Sequence, residues 1–201
     1  SVLANTPHPD ISAFLAGYIA AMITEDYHTG LIIPKDDPIG QVILTAFRTG
    51  VEYYCGLCNP WAGPFYEYPI HVEIPQDAPE NEYGAYADYL TNYIVETMYV
   101  YPDFLTPDLL TYLSSSGTLV ISDTTPLKIQ GNWVASLQPD VIHAIETAWP
   151  DLVAGVGGVN VPSPLVIANV NEEHLPPGKL QDAQLVLEQL QTGQISTGVN
   201  P

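Results

Sequence analysis

The sequence predicts an α/β fold of three layers, in which a parallel sheet lies between helices. Two observations carry this prediction: an amphipathic helix that leads into a short buried strand, and the repetition of that unit along the chain. This helix-to-strand unit is predicted in the stretch PDISAFLAGYIAAMITEDYHTGLII, residues 9–33. The apolar side chains of its helix recur at the spacing of one helix face, at Ile11, Phe14, Leu15, Tyr18, Ile19 and Met22. Asp10 is placed to cap this helix.

The strand that follows is short and apolar throughout. Residues 28–30 break the helical period, and Leu31-Ile32-Ile33 then forms a continuous apolar run bounded by Pro34. Such a run is too short for a helix, and it is typical of a parallel strand that is covered on both faces. The helix and strand together indicate an α/β unit.

The same alternation continues through the chain. Further helices are predicted over 41–54, 80–94, 106–117, 139–152 and 180–190. Further strands are predicted over 70–74, 97–101, 118–121, 132–137 and 165–170. The helix from 106 has a clear start, because Thr106-Pro107-Asp108 supplies an N-cap, a first-turn proline and a first-turn acid. Strands that alternate with helices imply a parallel sheet with right-handed crossovers.

Charge is the most unusual feature of the composition. The 201 residues include 23 acidic and four basic side chains, for a formal net charge of −19. Nucleic acids and anionic lipids are bound by clusters of lysine and arginine, which this chain lacks, so nucleic acid is excluded as a partner. The simplest interpretation is an acidic, solvated surface that maintains solubility. A hydrophobic content of 46% indicates a folded chain, and no run is long enough to span a bilayer.

The acidic pairs and the common motifs predict neither a metal site nor an enzyme. Asp36-Asp37 and Glu172-Glu173 are compact, but neither has the alternating ligand spacing of a calcium loop. The sequence contains no G-x-S-x-G elbow, no P-loop and no G-x-G-x-x-G after a strand. Gly157-Gly158 lacks the strand-to-helix context of a phosphate loop. We therefore expect no cofactor, no metal and no catalytic activity.

Cys55 and Cys58 are the two cysteines of the chain. A reactive Cys-x-x-Cys pair places its first thiolate at a helix N-terminus, whereas this pair follows the helix predicted over 41–54. Asn59-Pro60 also prevents a new helix from starting at Cys55. We favour a small loop closed by a disulfide, which would indicate an oxidising compartment; buried free thiols and redox chemistry are the alternatives.

The phrase FLAGYIAAMIT, followed by a strand that begins with glycine, resembles the helix-to-strand junction of the basic membrane lipoprotein family. These are solute-binding proteins of ABC transporters with the two-lobed type I periplasmic-binding fold. The resemblance implies an extracellular or cell-surface protein, lipid-anchored before processing, that binds a small polar, nucleoside-like solute and has a membrane permease as its partner. It also implies that this chain carries one lobe plus crossing segments, with most of the first lobe absent.

The resemblance divides the chain into four parts. Residues 1–29 are the helix and crossing segment from the first lobe, and 30–131 are the second α/β lobe. Residues 132–170 are a crossing segment and its return, in which WVASLQPDVIHAI resembles the crossing of the family. Residues 171–201 are the C-terminal helix and tail.

A ligand site is expected where parallel strands end, because open α/β sheets bind ligands at their carboxyl ends. The candidates are Tyr101, Asp103, Phe104, Asp123 and Trp133. Aromatic rings stack on rings or sugars, and carboxylates accept hydrogen bonds from hydroxyls. Tyr101 and Phe104 also fit packing roles, and Asp103 fits a cap of the turn into Thr106.

By resemblance, Asp123 occupies the position of the strand-end acid that contacts the ligand's sugar. The chain departs from the family at Pro139, where a lysine is common, and the aromatic insertion CGLCNPWAGPFYEYP has no counterpart in the family pattern.

A second class of function also fits the sequence. The chain has 13 tyrosines, and an acidic cell-surface structural or assembly subunit could reuse one binding-protein lobe by burying tyrosines against neighbours. The tyrosines considered for such an interface are Tyr18, Tyr53, Tyr54, Tyr66 and Tyr68.

Overall fold

A computed structural model describes residues 2–4, 8–56, 66–156, 158 and 160–199, and it confirms the α/β class. The strands are β1 (Val2–Ala4), β2 (Thr29–Pro34), β3 (Ile70–Ile74), β4 (Thr97–Val100), β5 (Leu119–Ser122), β6 (Trp133–Pro139), β7 (Asn160–Pro162) and β8 (Leu165–Ala168). The helices are α1 (Pro9–Ile23), α2 (Pro38–Cys55), α3 (Tyr83–Asn92), α4 (Pro107–Ser115), α5 (Val141–Val153) and α6 (Pro177–Gln191). None of the described helices combines the length and apolar character needed to cross a bilayer.

The main sheet has six strands in the order β3-β2-β4-β5-β6-β8. The first five are parallel, and β8 runs antiparallel to β6 at the edge. Within the main sheet the chain starts at β2, moves outward to β3, and then continues on the other side of β2 through β4, β5 and β6. The strand order therefore reverses between β2 and β4, and such a reversal opens a crevice at the carboxyl ends of the strands.

Alternate side chains of the sheet belong to two separate cores. Leu31 and Ile33 of β2 pack with α1, α2 and α6 on one face, whereas Ile32 packs with α3 and α4 on the other. Because successive strand residues point to opposite faces, an unbroken apolar run is what a sheet between two helical layers requires. All three side chains are fully buried.

Helices α1 and α2 approach each other at two glycines. A Cβ atom at Gly17 of α1 would overlap the carbonyl oxygen of Phe47, and one at Gly50 of α2 would overlap that of Phe14. The backbones are in direct contact at both positions, so α1 is held against α2 and against the sheet. Residues 9–23, which the resemblance assigns to a crossing segment, thus pack in the same core as the lobe.

A second, smaller sheet and α5 lie outside the main sheet. Strands β1 and β7 pair in parallel, and α5 turns Ala144 and Ala148 inward against Val161. The opposite face of α5 is exposed, with Ile142 at 72% and Trp149 at 60% accessible. Strands β6 and β8, which fall within the predicted crossing segment 132–170, belong to the main sheet.

The N-caps predicted for α1 and α4 can be compared with the observed starts of these two helices. Thr106 caps α4 as predicted, because its hydroxyl accepts a hydrogen bond from the Leu109 N–H at 3.2 Å. The prediction for α1 was wrong: its N-cap is His8, and Asp10 lies inside the first turn. Pro9 accounts for the earlier start, since proline has no N–H to satisfy and its fixed φ suits the first helical position.

Cys55 is the last residue of α2. Cys58 lies outside the described residues, so the predicted disulfide stays a prediction.

Candidate ligand site

A cavity of about 230 Å³ opens at the carboxyl ends of the central strands. It is bounded by the start of α1, the first turn of α2, the residues that follow β4 and β5, and the facing ends of β6 and β8. Its lining includes His8, Ser12, Ile39, Tyr101, Asp123 and Leu137.

The carboxyl group of Asp123 lies at the base of this cavity, and its two oxygens differ. Oδ2 accepts hydrogen bonds from the Ser12 hydroxyl at 2.8 Å and from the Tyr99 hydroxyl at 2.9 Å. Oδ1 is buried and has no hydrogen-bond partner among the described residues. A buried acceptor without a partner is unfavourable, so one half of this carboxylate still lacks a hydrogen-bond donor.

Burial raises the pKa of Asp123 to about 6, and the hydrogen bonds from Ser12 and Tyr99 limit the rise. Near neutral pH the group is therefore mostly ionised. The pKa of Tyr99 is raised well above its usual value, first by burial and then by the negative charge of Asp123. Tyr99 thus remains a neutral hydrogen-bond donor to the carboxylate.

The secondary structure positions these three side chains. Ser12 lies in the first turn of α1, which the glycine contact holds against α2, and Tyr99 points from β4 into the core beneath α1. Asp123 follows the last residue of β5, Ser122, whose hydroxyl donates to the Val100 carbonyl at 2.7 Å. That hydrogen bond joins the ends of β4 and β5, and it fixes the point at which Asp123 leaves the sheet.

Two helix N-termini also point at this edge, and each has its own acid. Asp37 caps α2, accepting from the Ile39 N–H at 2.9 Å. Asp10, in the first turn of α1, accepts from the Thr197 hydroxyl at 3.0 Å. Because carboxylates in these positions offset the positive end of a helix dipole, neither helix brings an uncompensated positive field to the cavity.

The structure brings together two of the five predicted ligand residues, Tyr101 and Asp123. Asp103 is exposed on the short 3₁₀ turn after β4 and does not line the cavity. Phe104 is buried and packs against Tyr83, with ring centroids 5.3 Å apart. These placements leave Phe104 in the packing role that the sequence also allowed.

Trp133 is 1% exposed and packs with the residues of α3 and α4. It is the first residue of β6, so it lies at the amino end of a parallel strand, whereas the cavity lies at the carboxyl ends. We therefore keep Trp133 out of the site described here.

Ser12 and Tyr99 were not predicted as site residues, although each of them stands out in the sequence. Ser12 is a hydroxyl residue in the otherwise apolar buried stretch of α1, and Tyr99 is the largest polar residue in the buried strand β4. Polar groups placed among apolar neighbours must find a partner. Here the partner is Asp123, which lies 111 positions from Ser12.

A larger cavity, of about 360 Å³, lies between the start of α4 and residues 124–130. Its lining includes Leu110, Thr125 and Lys128. Thr125 is already hydrogen-bonded to Ser136 and Gln138, and no lining side chain has a buried polar atom without a partner. This cavity is larger than the one at Asp123, but its chemistry does not point to a ligand.

Comparison with known proteins gives matches in structure alone. No family model and no curated protein matches the chain. A solute-binding protein of an ABC transporter system from Conexibacter woesei DSM 14684 is similar in structure, with a TM-score of 0.66 and 12% identity. The match covers 94% of this chain and 62% of that protein.

A second similar structure is a solute-binding protein of an ABC transporter from Rhodopseudomonas palustris BisB5, in complex with 3,4-dihydroxybenzoic acid. It matches with a TM-score of 0.45 and 14% identity, over 94% of this chain and 50% of that one. The basic membrane lipoprotein family itself stays a prediction. The chain has the α/β fold of the Conexibacter solute-binding protein, and it spans 62% of that protein's length.

Proposed function

We propose that the chain is the solute-binding part of an extracytoplasmic ABC-transporter component, and that it holds a small polar solute at the carboxyl ends of the central strands. The observation that carries this proposal is Oδ1 of Asp123, a buried carboxylate oxygen without a described partner at the base of a cavity. Open α/β sheets bind ligands at this edge, next to the reversal of strand order.

The chemistry of the cavity specifies a hydrogen-bond donor. A buried charge is stable only when it is paired or hydrogen-bonded, and a ligand N–H or O–H that reaches Oδ1 would meet this requirement. Tyr101 supplies an aromatic wall, and Ile39 and Leu137 supply apolar ones. The resemblance suggests a nucleoside as one candidate, with a sugar hydroxyl on Asp123 and its base on Tyr101.

The cavity is small for a complete site. Its volume of about 230 Å³ lies below the range of about 300–1,000 Å³ that is usual for ligand pockets. A cavity of this volume would form one side of a cleft, and a first lobe would complete the site by closing over the solute. Under this proposal a membrane permease receives the solute.

A solute panel tests the proposal. Nucleosides, sugars, amino acids and amines would be added to isotope-labelled protein while backbone amide NMR shifts are followed. We expect at least one class to saturate amide shifts at residues 8, 10–12, 101 and 123, with an apparent affinity about tenfold weaker in Asp123→Asn, the loss of one charged hydrogen bond. The matched control Asp77→Asn removes the same charge from an exposed turn. A panel that leaves these amides unmoved would contradict the proposal.

The second candidate, an assembly subunit, is favoured by the exposed face of α5. Ile142 and Trp149 are 72% and 60% accessible, and a contiguous exposed apolar face marks a protein contact. The opposite face of α5 packs against Val161 of β7, which pairs with β1 in a two-stranded sheet, and a sheet of this kind is marginal without further packing.

Sedimentation velocity tests this second candidate. If the chain self-assembles through α5, its sedimentation coefficient should rise with concentration, and Trp149→Glu should shift the association about tenfold or more toward monomer. The control is Leu185→Glu, which places the same change at an exposed site on α6. A coefficient independent of concentration, or equal effects of the two substitutions, would count against assembly.

A further inference from the structure

We infer that the solute is a small organic cation, a protonated amine on a compact apolar body, and that its ammonium group binds Oδ1 of Asp123. This inference rests on the proposed function, because it names the substrate class of the same cavity. Four features of the cavity support it in turn.

The first feature is the carboxylate itself. Ser12 and Tyr99 both donate to Oδ2, and they leave Oδ1 buried without a described partner. Both donors are neutral, so the negative charge of Asp123 has hydrogen bonds but no counter-charge. A charge-assisted bond from an ammonium group would be stronger than one from a neutral hydroxyl.

The second feature is the absence of protein cations around it. The described lining of the cavity contains no lysine or arginine, and its one base is His8, which is exposed at the mouth. Lys35 is exposed in the loop after β2 and does not line the cavity. The counter-charge of Asp123 must therefore come from outside the described lining.

The third feature is the sign of the charges at the rim. Asp10, Asp37 and Asp103 lie on the segments that meet there, and two of them already offset the helix ends. The pKa of Tyr101 is raised by burial and then by Asp103, Asp37 and Asp123, which places a negative field at this side chain. A cleft of one sign concentrates ions of the opposite sign, and it repels carboxylates and phosphates.

The fourth feature is the wall material. The Tyr101 ring is available for a cation–π contact, and Ile39 and Leu137 provide apolar surface. These walls suit the body of an amine better than a sugar, which would need several further polar partners. The small volume of the cavity, its negative charge and its aromatic and apolar walls together favour an amine over a polyol as the solute.

The test compares three molecules of one shape that differ only at the terminal group: tyramine, tyrosol and para-hydroxyphenylacetate. They carry an ammonium, a hydroxyl and a carboxylate. Amide NMR titration of the protein near neutral pH should give an affinity for tyramine at least about tenfold higher than for tyrosol, with no binding of the anion. The Asp123→Asn variant should remove the preference for tyramine, whereas Asp77→Asn should keep it.

A pH series gives a second readout. Around Asp123 the titratable groups are His8 at the mouth, Asp10, Asp37 and Asp103 at the rim, and the tyrosines 99 and 101. Of these, Asp123 is the group that contacts the ammonium. Tyramine affinity should fall as the pH drops through about 6, while that of tyrosol stays level.

The outcomes separate this inference from the proposed function. If tyrosol or the anion binds at this cavity as tightly as tyramine, the cation inference is overturned and the solute-binding function stands. If none of these molecules perturbs the cavity amides, the inference is overturned, and the result of the wider panel then decides whether the solute-binding function falls with it.

Discussion

Replacing Gly50 with alanine is expected to lower the free energy of unfolding by about 3 kcal/mol or more. The added methyl group would overlap the carbonyl oxygen of Phe14, which belongs to the rigid backbone of α1. Overpacking a core usually costs about 1–3 kcal/mol, and here two helix backbones must separate. Denaturant unfolding measures the change, and the midpoint should fall with little change in slope.

Gly178→Ala is the matched control for this prediction. Gly178 lies in the first turn of α6, and a Cβ there has no neighbour within 4 Å. Alanine favours helix over glycine by roughly 1 kcal/mol, so this variant should be as stable as the parent or slightly more stable. If Gly50→Ala were equally harmless, the close contact of α1 with α2 would be wrong, and with it the position of Ser12.

Replacing Asp123 with asparagine is expected to stabilise the ligand-free chain near neutral pH. Burial in the fold raises the pKa of this carboxyl from its ordinary value of 3.8, which we take for the unfolded chain, to about 6. Its folded-state pKa is raised, so its contribution to stability is complete below pH 3.8 and is lost as the pH rises through about 6. The difference of about two pH units corresponds to at most about 3 kcal/mol.

The net gain should be smaller, about 1–2 kcal/mol, because the new amide also leaves buried hydrogen-bonding groups without partners. Thermal unfolding of both proteins across the pH range measures it. The variant should melt several degrees higher near neutral pH, and the advantage should vanish or reverse near the unfolded-state pKa. A variant less stable than the parent at all pH values would show that Asp123 is a structural group.

The expected gain has a functional meaning. A group that is kept for binding often lowers the stability of the free protein. A buried carboxylate without a counter-charge destabilises the free protein, and it stabilises the complex once a ligand compensates its charge. Asp123 is in this position because its Oδ2 is fully used within the protein and its Oδ1 is not.

The layers of the fold could be predicted because the apolar pattern follows directly from the geometry. The run Leu31-Ile32-Ile33 has to serve two cores, and alternate residues of β2 do pack on opposite faces. Rules that read helix caps from the local sequence also gave the right result where a single helix turn decides the structure, as at the Thr106 N-cap of α4. They were wrong where Pro9 competed with Asp10, because the proline set the helix start.

The site was predicted only in part, because contacts distant in sequence decide it. Asp123 and Tyr101 follow strands, and parallel topology brings them to one edge. Phe104 and Trp133 are aromatic like Tyr101, but neither lines the cavity. Phe104 packs against Tyr83 of α3, and Trp133 lies at the start of its strand. The pairing of Ser12 with Asp123 depends on how α1 lies on α2, which no local pattern states.

Titration of the Asp123 carboxyl carbon by NMR, in the ligand-free protein, tests whether this carboxylate is buried without a counter-charge. We expect a midpoint near 6, which should fall when an amine binds, because a cation favours the ionised form. A midpoint near the ordinary value of 3.8, unaffected by any solute, would mean that this carboxylate is solvated or already paired. The proposed ligand site would then have no basis.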